Sequence, residues 1–379
     1  MTDSLTKPNW GHTPWTIDFH PSPVALPEHI DFAVVGAGFT GLAAAAKLRR
    51  MAPEKSVAVF ERVSIGAGSS GHTGGMVLAE TAVGDLPGLG DMLAGYTKVL
   101  KDLEVDADLA LPGVWEIGRT ATLPDSPISW SDSGNLRAVR EVPGGSVDPG
   151  RVVTGLARAA AKSGALIFEN AAVESAEFES HSARLRISGK TVTANAALFA
   201  TNAMSLELAG LSGRTKPKFT LAIATEPLRG TQIEQLGLAS GKPFYTIDFP
   251  YLWGRKLRND GFVFGAGLVH LQNWRELQDV DVSKGEAGNL IARLENRVRA
   301  LHPALRNVQF THRWGGPILI GDDWRPIFTR HPESPRSIVL GAFSGHGVAQ
   351  SVYLGCWAAE ALCGRRELPQ WDSSGENEQ

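Results

Sequence analysis

Near its N-terminus the chain carries Asp31-Phe-Ala-Val-Val-Gly36-Ala-Gly38-Phe39-Thr40-Gly41. A short apolar run leads into G-x-G-x-x-G, and the chain from Thr40 to Arg50 is rich in Ala and Leu, with no glycine after Gly41. The run predicts a buried parallel strand, and the composition beyond the glycines predicts a helix. Ser56-Val-Ala-Val-Phe-Glu61 predicts a second buried strand. Strand, turn, helix and strand within about 30 residues make a crossover unit. Each glycine has its own task. Gly36 allows the tight turn, Gly38 lets the backbone approach a pyrophosphate, and Gly41 lets the helix pack on the strand. The helix that Phe39 and Thr40 open offers unpaired N–H groups and a positive end to phosphate. Glu61 stands 20 residues past Gly41. A carboxylate there accepts hydrogen bonds from both ribose hydroxyls and repels a 2′-phosphate. A dinucleotide site is expected, and the six-letter motif alone does not choose between NAD and FAD.

Outward from this unit, the 379 residues carry 37 basic and 40 acidic side chains, a formal charge of −3, with 43% hydrophobic and 20% charged residues. These are globular proportions, and they put no strong field toward nucleic acid or an anionic membrane surface. No apolar run reaches the roughly 18 residues of a membrane-crossing helix, so no span is expected. The stretch from Met1 to Trp15 lacks the apolar segment of a secretory signal. Cys356 and Cys363 fall in one expected helix and make no disulfide framework. A cytoplasmic protein is the expectation. Metal-ligand spacing and a G-x-S-x-G elbow are both missing.

Residues 1–28 read as an arm. Pro8, Pro14, Pro21, Pro23 and Pro27 discourage helix and sheet, while Trp10, Trp15 and Phe19 suggest packing on the body. Residues 29–85, 148–212 and 313–366 are expected to form a cofactor domain, 86–147 and 213–312 a substrate domain, and 367–379 a disordered tail. The cofactor segments predict helices over 151–163 and 348–362, and strands at 165–168, 173–179, 183–188, 196–200 and 337–341. The second substrate segment predicts strands at 218–226, 250–257 and 262–269, then an amphipathic helix with Leu290, Leu294, Val298 and Leu301 on one face. The expected fold class is α/β: a Rossmann-like domain interleaved with an α+β substrate domain on a mixed or antiparallel sheet.

Past the second strand comes Glu61-Arg62-Val-Ser-Ile-Gly-Ala-Gly68-Ser69-Ser70-Gly-His72-Thr73-Gly74-Gly75-Met76. Near the C-terminus comes Gly341-Ala-Phe-Ser-Gly345-His346-Gly347-Val348-Ala349-Gln350. With Ala200-Thr201-Asn202 and Arg313-Trp314-Gly315-Gly316-Pro317 between them, the chain resembles the D-amino-acid oxidase superfamily of FAD-dependent amine and amino-acid oxidoreductases, over residues 30–365. The Arg313–Pro317 stretch looks most like the γ-glutamylputrescine oxidase branch, near the sarcosine and glycine oxidases. The resemblance implies a glutathione-reductase-type domain holding FAD, a small-molecule amine as substrate, and oxygen or another electron acceptor. It implies cofactor contacts along Glu61–Arg62 and Gly68–Met76, at Thr201 and Gly316, through the backbone of Val173, and along Gly345–Gln350. A helix N-terminus there would stabilise charge on a reduced flavin.

Against that family pattern, no cysteine stands near Gly315, which excludes the cysteinyl flavin of sarcosine oxidases. His72 occupies the slot of the histidine that carries FAD in sarcosine and dimethylglycine dehydrogenases. Non-covalent FAD is the expectation, and a linkage through His72 the alternative. Ala349 replaces a lysine, and Gly75 and Gly316 replace arginines, that hold the substrate carboxylate in small-amino-acid relatives. A buried carboxylate without a partner is costly, so a simple amino acid is disfavoured unless Arg255, on the strand-like Tyr251-Leu-Trp253-Gly-Arg255, serves instead. Val263 stands where some relatives keep an oxygen-activating lysine, which leaves oxidase and dehydrogenase both open.

The 10 tryptophans recur where pocket walls are expected, Trp253 beside Tyr251 and Trp314 before the Gly-Gly turn. Aromatic walls hold a cation or a flat substrate, and a dry pocket lowers an amine pKa and frees its lone pair. His346 is a candidate to orient the flavin or act as a base, and His270 to face the substrate. The expected reaction is oxidation of the C–N bond of a small primary or secondary amine, with hydride passing to flavin N5 and the imine then hydrolysing. A D-amino-acid or N-methyl-amino-acid oxidase or dehydrogenase with an unusual carboxylate anchor is the second reading. A non-catalytic or partner-dependent flavoprotein subunit is the third.

Overall fold

The computed structural model describes residues 8–120 and 123–372. The chain opens with β1 (His29–Val35), α1 (Phe39–Met51), β2 (Val57–Phe60), the one-turn α2 (Ser69–His72) and β3 (Met76–Leu78). Then come α3 (Met92–Asp102), β4 (Val114–Gly118), β5 (Trp130–Ser131), β6 (Asn135–Val142) and β7 (Gly144–Ser146). The helix α4 (Pro149–Lys162) leads to β8 (Leu166–Phe168), β9 (Val173–Phe178), β10 (Ala183–Ile187) and β11 (Lys190–Phe199). Next are β12 (Thr215–Thr225), α5 (Gly230–Gln235), β13 (Phe244–Thr246), β14 (Trp253–Lys256), β15 (Phe262–His270) and α6 (Gly285–Leu301). The last elements are β16 (Phe310–Gly321), β17 (Ile327–His331), β18 (Ser334–Gly341) and α7 (Gly347–Leu362).

The strand β1 is apolar because it is central. It lies parallel to both β11 and β2, with Val34 opposite Leu198 and Val59. The order β17-β18-β11-β1-β2-β8 makes a Rossmann-like sheet, and the glycine turn leaves it at the carboxyl end of β1, where such sheets bind ligands. Ala43 to Ala46 of α1 are fully buried. Small residues let α7 come close: a Cβ added at Gly355 would lie 2.6 Å from the Thr40 carbonyl oxygen.

The second sheet is ordered β16-β12-β15-β14-β13-β4-β6-β5 and is antiparallel except where β13 runs parallel to β4. It is the mixed sheet expected from sequence. Alternation along β12 divides its two faces. Leu221 and Ile223 join Ile291, Leu294 and Val298 of α6 in one core, and Ala222 and Ala224 join Trp15, Val263 and Trp314 on the other side. The segment 86–147, for which the sequence predicted no elements, supplies α3 and three strands of this sheet.

The arm lies on the body, with Trp10 and Trp15 buried and Gly11 bridged to Trp314. Gly11 has φ +81°, and a Cβ there would lie 2.0 Å from the Arg313 carbonyl oxygen, so only glycine permits this approach. Residues 1–7 lie outside the described residues. The expectation of a disordered tail from 367 is corrected in its first part. Trp371 is buried edge-on against Trp357, and its indole N–H donates to the Pro326 carbonyl at 3.3 Å. Burying one indole offsets the ordering of a few residues. The remainder, 373–379, lies outside the described residues. Among the described residues, no helix is long and apolar enough to cross a membrane.

Candidate functional site

A cavity of about 1230 Å³ opens where the glycine turn faces the second sheet. Pockets for drug-sized ligands are about 300–1,000 Å³, so this one has room for more than a single small molecule. Gly36, Gly38, Phe39 and Thr40 line one end. Gly36 has φ +106°, and a Cβ there would lie 2.6 Å from the Ala200 carbonyl oxygen. At Gly41 a Cβ would lie 2.0 Å from the Gly36 carbonyl oxygen, so α1 starts against β1 with no room for a side chain. Glu61 follows β2 beside this turn, its carboxylate accepting from the Ala37 N–H at 2.9 Å and the Val63 N–H at 3.0 Å. Burial pushes the Glu61 carboxyl up, and those N–H groups and the Arg62 charge pull it back. Each oxygen keeps a lone pair for a ribose hydroxyl.

The turn α2 joins the parts of the site. Ser70 Oγ accepts from the Phe39 N–H at 2.9 Å, at the start of α1. Ser69 Oγ donates to the Pro317 carbonyl at 2.7 Å and accepts from Asn202 Nδ2 at 3.0 Å. His72 Nδ1 lies 2.9 Å from the Gly68 carbonyl oxygen. Gly316 is glycine because a Cβ would lie 2.6 Å from the His72 Cβ. The N-terminus of α7 closes the far side through Gly345, Gly347, Val348 and Ser351.

Two observations test whether this cavity suits FAD. Thr201 and Ser351 line it, and each buries a hydroxyl that has no hydrogen-bond partner among the described residues. Orphaned buried polar atoms call for a ligand or water. A Cβ added at Gly68 or Gly345 would meet nothing within 4 Å, so both backbones border open space. The donors, the glycine turn and the positive end of α7 all fit the group.

Of the residues singled out from sequence, the cavity also gathers Arg62, the stretch Gly68–Gly74, Met76, Val173, Trp253 and Trp314. Gly41 and Gly75 lie behind it against backbone oxygens of Gly36 and Val147. Ala349 and Gln350 are buried in α7 and do not line it; Gln350 Nε2 donates to the Glu80 carbonyl at 3.5 Å.

Four substrate-side expectations are corrected. Tyr251 is exposed, in the loop before β14. His270 stands at the exposed end of β15, its Nδ1 2.5 Å from Lys218 Nζ. Arg255 shares a strand face with Trp253 but meets the neighbouring loop, where its buried guanidinium donates to the carbonyls of Gly74 and Lys256. Burial pulls Arg255 down to about 10, against the charges of Asp148 and Asp108. It remains a cation at neutral pH and holds the Gly74 loop. His346 lies between wall glycines without lining the cavity, its Nδ1 3.3 Å from the Ser344 carbonyl oxygen.

Sequence reasoning missed Ser351, Gln278 and the arm as wall. Ser351 is one helical turn past Gly347, a spacing that would have pointed to it. The aromatic spacing of Trp10, Trp15 and Phe19 signalled contact with the body but not with the cavity.

Burial pulls His346 below its ordinary 6.5, its bond to Ser344 opposing. The folded state therefore favours the neutral ring, while the unfolded chain takes up a proton near 6.5. This stability is complete above that pH and drains away as the pH falls through the lower folded-state value. His331 shifts the same way for the same first cause. Unfolding free energy should fall on acidification below pH 6.5, and His346→Gln should flatten part of that slope. An unchanged slope would mean that His346 does not contribute to it.

A Rossmann-like sheet and a mixed second sheet thus enclose a candidate cofactor cavity between a glycine turn and a terminal helix. The model of the DAO family, FAD dependent oxidoreductase, matches residues 31–361, and the chain belongs to that family. It is 25% identical to the probable oxidoreductase OrdL of Rhizobium meliloti (strain 1021), across 88% of this chain and 83% of the relative. It is likewise 25% identical to the gamma-glutamylputrescine oxidoreductase of Escherichia coli (strain K12), across 89% of this chain and 84% of that one. The fold is similar to that of glycine oxidase from Geobacillus kaustophilus, with a TM-score of 0.71 at 19% identity, across 93% of this chain and 100% of that one. The protein is an FAD-dependent oxidoreductase.

Proposed function

We propose that the protein oxidises the C–N bond of a small primary or secondary amine to an imine, which water then hydrolyses. One observation carries this reading. Among the described residues, the wall that includes Trp253, Trp314, Ala222, Met76 and Leu78 holds no lysine or arginine. Arg62 is the one such residue lining the cavity among the described residues, and it stands beside Glu61 at the dinucleotide end. A carboxylate against that wall would bury an unpaired charge; a neutral amine would bury none. FAD, when bound, supplies a two-electron acceptor for hydride from the carbon bearing nitrogen. Trp253, half-buried, with the fully buried Trp314 behind it, excludes water, lowers the amine pKa by desolvation and offers an aromatic surface to the substrate. The relatives whose names carry gamma-glutamylputrescine and glycine support a nitrogen-bearing substrate.

With oxygen or a dye as acceptor, a panel of small amines should yield aldehyde or ketone, and matched amino acids should yield far less. Equal or higher kcat/KM for D-amino or N-methyl amino acids would replace this reading with the carboxylate-anchored one. For cofactor attachment, acid precipitation should leave a colourless pellet. The His72 ring is packed edge-on by Trp10 at 5.3 Å and its Nδ1 faces the Gly68 carbonyl. A pellet that stays yellow would instead establish a covalent bond.

A further inference from the structure

We infer that residues 8–20, ahead of the matched family segment, are part of the cofactor site, with Trp10 and Trp15 as positioning residues that hold the α2 turn against the cavity. The family match begins at residue 31 and assigns nothing to this segment. The arm runs along β16, the edge strand of the second sheet. The Trp10 carbonyl accepts from the Gly315 N–H at 2.9 Å, and the His12 N–H donates to the Arg313 carbonyl at 3.2 Å. The arm thus covers a sheet edge. On its inner side Trp10, His12, Trp15, Ile17 and Phe19 line the cavity.

The contacts converge on α2. It is one turn long, so its last carbonyls have no partner within the helix. Trp15 Nε1 donates to the Gly71 carbonyl at 2.8 Å, and Trp314 Nε1 donates to the His72 carbonyl at 3.0 Å. Two indoles, one of them from the arm, therefore cap two consecutive carbonyls. The Trp10 ring stands edge-on to His72, and Trp15 edge-on to Trp314 at 5.5 Å. Trp10 is itself fixed, its indole N–H donating to the Leu277 carbonyl at 2.9 Å. From the same turn Ser70 reaches the first N–H of α1. One connected path leads from the arm through Gly71 to the glycine turn. Without the Trp15 N–H, the Gly71 carbonyl is buried unpaired and the turn loosens. Binding groups whose supporting contacts loosen lose their geometry.

The test uses the holoprotein with Trp15→Phe and Trp10→Phe, and Trp130→Phe as comparison. Trp130 also donates an indole N–H to a buried carbonyl, that of Leu236 at 3.0 Å, and does not line the cavity. Trp15→Phe should raise the FAD dissociation constant about tenfold and alter the visible circular dichroism of the bound flavin. Trp10→Phe should alter the dichroism as well. Trp130→Phe should lower the unfolding midpoint and leave both cofactor readouts unchanged. If the two arm variants lose stability as Trp130→Phe does but bind FAD with wild-type affinity and dichroism, the inference is overturned. If one arm variant fails to fold, the other decides. Neither readout needs turnover, so the result stands apart from the amine reading.

Discussion

Alanine at Gly36 is expected to give a protein that purifies without yellow colour. The residue holds φ +106°, and the added Cβ would sit 2.6 Å from the Ala200 carbonyl oxygen and 3.1 Å from its carbon. Those atoms are backbone at the end of β11 and cannot swing aside. Strain at such a φ and overpacking each cost about 1–3 kcal/mol, a large share of the roughly 5–15 kcal/mol that keeps a protein folded. If the chain folds at all, the turn must shift, and FAD affinity should fall by about a hundredfold or more, equivalent to about 2.8 kcal/mol. Flavin per polypeptide and a urea titration check both effects. Gly230→Ala serves as control, since a Cβ there meets nothing within 4 Å. Full flavin content in Gly36→Ala would mean that this turn is not where the dinucleotide is held.

Trp253→Ala should separate substrate from cofactor. Two glycines make room for this indole: a Cβ at Gly74 would lie 2.2 Å from its ring, and one at Gly265 would lie 2.0 Å away. Gly265 is opposite both Trp253 and Ala222, and Ala222 is opposite Trp314, so the ring belongs to one row across the sheet. Truncation opens that row to water. KM for the best amine should rise about 10–100-fold, about 1.4–2.8 kcal/mol, with kcat reduced less and flavin content retained. Steady-state kinetics beside flavin quantitation decides. Loss of flavin with an unchanged KM would place Trp253 at the cofactor instead.

The glycine-turn end of the candidate site was legible because its signals are local. Gly36, Gly38, Gly41 and Glu61 are set by the geometry of one strand–turn–helix–strand unit, and all four converge where their spacing puts them. The substrate half depends on register between distant strands. Along β12 and β15, Thr220 faces Leu268 while Ala222 faces Gly265, an irregularity that adds one residue to β15 and breaks the alternation. A period-two reading therefore could not place His270. Arg255 looked like a substrate anchor because strand position alone says nothing about the Gly74 loop lying across it. The arm pairs with residues some 300 positions away, through Gly11 and Trp314, and no window of sequence carries such a pairing. Trp371 was misread for the same reason: an acidic, polar C-terminus hid one indole that packs on α7.

A flavin bound in this cavity is expected to take electrons from an amine and not from an amine bearing a carboxylate on the reacting carbon. The most direct test is an anaerobic titration of the holoprotein, following the visible absorption of oxidised flavin. Stoichiometric bleaching by small primary or secondary amines, with their α-carboxylated counterparts leaving the spectrum intact, is the predicted result. Bleaching by the carboxylated compounds alone, or by no amine at all in a sample that dithionite still reduces, would contradict it.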